Sequence, residues 1–134
     1  MTSNSDIPEI EPEQLGAVLR FLPIFEQPGV VFGEWRTPKG HVPYYSMTSE
    51  VMDFFRSIQP VVFPFDWSSW QGEAKKYVVD PQALETADLL TLRKLLTTHV
   101  RMDRFVEGHF GGMLESGHIT AILSRLKELR EQMG

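Results

Sequence analysis

Apolar residues return along this chain mostly at helical intervals. Leu15, Val18, Leu19 and Leu22 form one stripe, and Val51, Phe54, Phe55 and Ile58 sit at i, i+3, i+4 and i+7. Ile119, Ile122, Leu123, Leu126 and Leu129 repeat the pattern near the C-terminus, with charges on the opposite face. The first stripe predicts a helix from about Pro12 to Phe25. Pro12 suits the first turn, and Pro23 kinks or stops the helix by removing a backbone donor. Thr48 or Ser49 caps the second helix and Pro60 ends it. Asp80-Pro81 opens a short helix to about Ala87. Asp88 then caps a second start into LLTLRKLLTTHVRMDRFVEG, which Gly108, Gly111 and Gly112 end or break.

The remaining pattern is strand-like. Val30 to Arg36 alternates, TPKGH supplies turn chemistry, and Val42 to Met47 returns, weakened by Pro43. Val61 to Trp70 reads as an edge strand or an extended buried loop, with a short helix after Asp66. The expected architecture is α+β and predominantly α, with four to five helices and one small N-terminal antiparallel β-hairpin. Residues 1–10 are expected to form a flexible arm and residues 11–134 a single compact domain.

Composition narrows the function classes. The 134 residues are 42% hydrophobic, with nine Phe and three Trp, enough for a real core. The absence of cysteine excludes disulfides, thiolate metal sites and cysteine nucleophiles. A formal net charge of −5 speaks against nucleic acid as the main partner. Arg125, Lys127 and Arg130 on the last helix are offset by Glu128 and Glu131, so nucleic-acid binding through the C-terminal helices is the weaker alternative. MTSNSDIPEIEPE lacks the features of a secretory leader and no window is long and apolar enough to span a bilayer, so a cytoplasmic protein without membrane contact is expected.

Chemistry-bearing side chains concentrate in THVRMDRFVEGHF, residues 98–110. On an unbroken helix from Leu89, at 100° per residue, His99, Asp103 and Glu107 fall at about 280°, 320° and 0°, inside the arc of the leucines. On the same wheel Arg104 lies at its edge, at about 60°. Inward carboxylates must be satisfied. Three arrangements would do so. The favoured one is a polar network in which Arg104 or Arg125 pairs with Asp103 or Glu107. The second is a pocket or partner surface at His99, Asp103, Arg104, Glu107 and His109. The third is a metal or acid–base site built from His99, Asp103 and Glu107 and completed by His109 or His118. No H-E-x-x-H, G-x-S-x-G or phosphate-loop signature is present, and no cofactor is expected. Asp66, Trp67 and Trp70 form a second candidate, an aromatic ligand pocket, weighed against tryptophans that plug a core.

F-D-W-x-x-W at 65–70, A-D-L-L-T-L-R-K-L-L-T at 87–97, V-R-M-D-R-F-V-E-G-H at 100–109 and E-S-G-H-I-T-A-I-L-S-R-L at 115–126 together resemble a family of small uncharacterised prokaryotic proteins bearing only a domain-of-unknown-function label. The resemblance spans about residues 44–130. It implies a prokaryotic or phage source and one compact domain, and it carries over no catalytic residue. The function expected from the whole sequence is a non-enzymatic binding or regulatory protein with a protein or small-molecule partner, a homodimer being one option. The alternative is a small metal-assisted hydrolase or nuclease-like enzyme using Asp103, Glu107 and either His99 or His109.

Overall fold

The computed structural model describes residues 7–133. Among them the order is α1 (Pro12–Leu19), α2 (Leu22–Phe25), β1 (Gly33–Arg36), β2 (Tyr44–Met47), α3 (Ser49–Ser57), α4 (Gln71–Val79), a 3-10 segment (Pro81–Thr86), α5 (Leu89–Met102), α6 (His109–Glu115) and α7 (His118–Met133). The expected mainly helical chain with one hairpin is what forms, but the described residues hold seven α-helices rather than four to five. The excess has a physical cause. Pro23 has no N–H for the Leu19 carbonyl, so the first expected helix ends and a new one starts at Leu22, with proline in its first turn. The long C-terminal run also divides. α5 stops at Met102, and α6 begins after Gly108, whose φ of +79° is the left-handed conformation that glycine tolerates.

The expected caps form. Thr48 Oγ1 accepts from Val51 N, Asp80 Oδ1 from Gln82 N, and Asp88 Oδ1 from Thr91 N. The hairpin is antiparallel, with Gly33 opposite Met47 and Arg36 opposite Tyr44. It is shorter than expected; β2 begins just after Pro43, which cannot donate to a ladder. Val61 to Trp70 forms turns and loop without pairing as a strand. Val61 and Phe63 are nevertheless buried, and Phe63 N donates to Thr97 Oγ1 (3.2 Å).

The core is built on α5 and α7. Leu92, Leu95, Leu96 and Val100 meet Ile119, Ile122, Leu123 and Leu126, all nearly inaccessible to solvent. An aromatic layer closes one end of it. The Phe54 ring lies 5.0 Å from Phe25, 5.4 Å from Phe21 and 6.0 Å from Phe110, centroid to centroid. Buried Arg93 ties two segments to α5, through Nε to the Val61 carbonyl (2.9 Å) and Nη1 to the Pro8 carbonyl (2.6 Å). Of the N-terminal arm expected over 1–10, residues 1–6 lie outside the described residues. Pro8 is held as stated, and Ile10 packs on the core. No helix of the described residues is long and apolar enough to cross a membrane.

Candidate functional site

Three helix ends bring three histidines to one point. His99 lies in the last turn of α5. The reversal at Gly108 places His109 at the start of α6, and a second reversal at Gly117 (φ +86°) places His118 at the start of α7. His99 Nδ1 is 3.0 Å from His109 Nε2, and His99 Nε2 is 3.0 Å from His118 Nε2. The imidazoles therefore form a chain, His109–His99–His118, in which the central ring spends both nitrogens. A neutral imidazole has one donor and one acceptor, so the chain runs in one direction or the other and is complete either way.

Burial sets its charge. His99 is 2% and His118 7% exposed, and His109 is half-buried. Loss of solvation holds His99 well below the ordinary histidine range, with its two neighbours adding to the effect. Burial likewise pushes His118 down to about 4. It lowers His109 too, against the opposing pull of the Asp103 carboxylate. At neutral pH all three rings are uncharged.

One face of this chain opens on a cavity of about 340 Å³ between α4, α5 and α6. Ala74 and Val78 come from α4, Thr98, His99 and Met102 from α5, and His109 and Met113 from α6. Gln71, Gly72 and Lys75 are its exposed members. Apart from the imidazoles and the Thr98 hydroxyl, the inner wall is aliphatic or thioether. Thr98 Oγ1 is already engaged by the Lys94 carbonyl (2.8 Å). The imidazoles are thus the polar groups of the inner wall that a guest would meet.

A sequence model described as a family of unknown function, DUF6508, matches residues 10–132. The chain belongs to the DUF6508 family. No curated protein and no solved structure matches it. The DUF6508 match begins at residue 10, so the family takes in α1, α2 and the hairpin as well as the histidine-bearing helices.

The other residues singled out from the sequence of this DUF6508 member separate. Asp103 ends α5 and its Oδ1 accepts from Phe110 N (3.0 Å), which ties the first turn of α6 to α5. Glu107 accepts from Tyr45 N (3.1 Å) and so holds the outer edge of β2. The expectation of an arginine partner is corrected. Both carboxylates are met by backbone N–H groups, because the break after Met102 turns Asp103 toward a free donor of α6 and Glu107 toward one of β2. Arg104 is exposed, and Arg125 donates to the Ala87 carbonyl (2.9 Å) and faces Glu128. His99, Asp103 and Glu107 do not converge, and among the described residues no three His, Asp or Glu side chains are disposed to hold a metal ion.

Asp66 accepts from Ser68 and Ser69 and fixes a turn. Trp67 stacks with exposed Phe105 (5.9 Å), whereas Trp70 packs between Phe65 and Tyr77 with Lys94 Nζ 5.8 Å above it. The two tryptophans thus face different neighbours and do not close one aromatic pocket. The α4 wall of the histidine cavity, and Met113, went unmarked in the sequence. The three histidines beside glycine breaks were the available signal.

Asp103→Ala is expected to leave the chain folded and cost about 1 kcal/mol, the usual worth of a capping carboxylate. It should also lower the titration midpoint of His109, since the carboxylate that favours its proton is gone. Thermal unfolding and histidine NMR check the two effects. Global unfolding of the variant would contradict the capping role.

Proposed function

We propose that this chain is a small-ligand binding module whose guest sits in the cavity between α4, α5 and α6. The observation that carries this reading is the pairing of an apolar wall with a neutral hydrogen-bonding terminus at His109. Small-molecule sites are concave, mostly apolar and equipped with a few fixed polar groups. Ala74, Val78, Met102 and Met113 supply the first property. His109, held through Nε2 by His99, supplies the second. The guest this favours is a compact, largely apolar molecule with one hydrogen-bonding group. The metal-assisted alternative has less support, since the backbone already engages Asp103 and Glu107.

Indole is a suitable probe, being apolar, planar, uncharged and equipped with one N–H. Titrated into the protein, it is expected to shift the methyl resonances of Val78, Met102 and Met113. Val78→Trp puts a large ring into the cavity from a partly exposed helix position, and should abolish those shifts while unfolding remains cooperative. Shifts scattered over the surface, or unchanged in Val78→Trp, would refute the reading.

A further inference from the structure

We propose that the His109–His99–His118 chain is a proton-operated gate on this cavity, which admits its guest while the three rings are linked and excludes it once two protons have been taken up. The proposal rests on the binding reading above and assigns the regulation of that site.

The number of hydrogen-bond donors limits how many protons the chain can hold. In the neutral chain each link has one N–H facing one lone pair. One added proton does no harm. If it sits on His99, that ring donates from Nδ1 to His109 and from Nε2 to His118, both of which accept at Nε2. If it sits on an outer ring, the chain simply runs inward from there. A second proton has no such place. Two charged rings at adjacent positions set N–H against N–H. Two charged outer rings both donate to a central ring that has a single lone pair. One link must break, so the chain is a two-proton device whose titration belongs to the set and not to one residue.

The surroundings decide which link opens. His99 and His118 are the two least accessible rings, 2% and 7% exposed. His109 is half-buried, and Asp103 at the end of α5 favours a proton on it. The other charged groups do not compensate the chain. Lys75 of α4 stands at the cavity rim and opposes further positive charge. Glu115 at the far end of α6 is taken by the Tyr45 hydroxyl (2.9 Å), and on α7 Arg125 faces Ala87 and Glu128. His109 is therefore the ring that turns away. It lines the cavity, so its departure removes the polar contact and puts a charge beside an apolar wall. Desolvation supports the direction, since it opposes charge on every member of the chain.

Indole has no ionisable group between about pH 4 and 8, so any pH dependence of its binding over that range belongs to the protein. NMR titrations of the full chain should show binding at least twofold weaker at about pH 4 than at about pH 7.5. At the acid end the slope of log affinity against pH should approach one, because the free chain then holds two protons and the bound chain one. In the same samples the imidazole ¹⁵N signals should report one fixed tautomer for His99 and scalar couplings across both N–H···N links at the higher pH, lost as binding is lost. His118→Gln lies outside the cavity and its amide can still meet His99 Nε2. It should bind indole as the native chain does at neutral pH and hold it to lower pH, because the second proton must then join His99 beside a charged His109. If that variant does not fold, the native pH dependence and couplings decide. Binding that is independent of pH, a His118→Gln variant that loses indole at the same pH as the native chain, or couplings that persist after binding is lost overturns the gate. Absence of indole binding at every pH removes the cavity reading and the gate with it, while the couplings still report whether the chain forms.

Discussion

Alanine at Gly111 is expected to cost about 2–3 kcal/mol, the upper range for forcing atoms into a packed site. A Cβ there would stand 2.8 Å from the Tyr45 hydroxyl and closer still to its ring. That ring cannot retreat. It is 9% exposed, Gly33 of β1 also lies against it, and its hydroxyl donates to Glu115 Oε1 at 2.9 Å. Tyr45 is the peg by which the hairpin docks on α6, and a two-stranded ribbon has little stability unless docked. The adjacent Gly112 provides the contrast. A Cβ there meets nothing within 4 Å, so Gly112→Ala should stabilise the protein by up to about 1 kcal/mol through helix propensity. Thermal unfolding of the two variants side by side tests the contrast, and equal effects would dismiss it. A second readout is available. Burial and the Glu115 hydrogen bond push the Tyr45 phenol up to about 12, so this tyrosine should ionise nearer its ordinary value of 10 when Gly111→Ala unseats the hairpin.

Acidification should produce the other large effect. The histidines bind protons less readily folded than unfolded, so between the unfolded value of 6.5 and the lower folded values the unfolded chain holds more protons. Their contribution is complete above about pH 6.5 and is lost as the pH falls toward the folded values. His118, moved from 6.5 to about 4, contributes about 3 kcal/mol at neutral pH on its own. Asp66 and Asp88, lowered from 3.8 by hydrogen bonds to Ser69 and Thr91 respectively, contribute to a loss that comes only at lower pH. Urea unfolding at a series of pH values should therefore show stability falling already between about pH 6.5 and 5, and His118→Gln should flatten that fall. A native chain equally stable across that interval would mean that the imidazoles are not buried as described.

The resemblance read from F-D-W-x-x-W, V-R-M-D-R-F-V-E-G and their neighbours identified the kind of family correctly, and the DUF6508 match confirms it over a longer span. The candidate site was legible only in part. The helical wheel placed His99 inward, and His99 is buried, because it lies within α5 where the phase of the wheel holds. The same wheel failed for Asp103 and Glu107. Gly108 takes a positive φ, α5 ends at Met102 before Glu107 can follow it, and the turn re-aims both carboxylates at backbone donors. Trp67 and Trp70 lie only three positions apart in sequence, yet one meets Phe105 and the other Phe65 and Tyr77.

By itself the sequence determined the apolar stripes of α1, α3, α5 and α7, the caps at Thr48, Asp80 and Asp88, and the hairpin, because each depends on contacts within a few residues and on a period that burial enforces. Only the tertiary structure decided that His99 meets His109 and His118, that Glu107 meets Tyr45, and that α4 closes a cavity over them. Those contacts join residues on separate elements, and their partners follow from how the helices are turned and stacked, which no local spacing encodes.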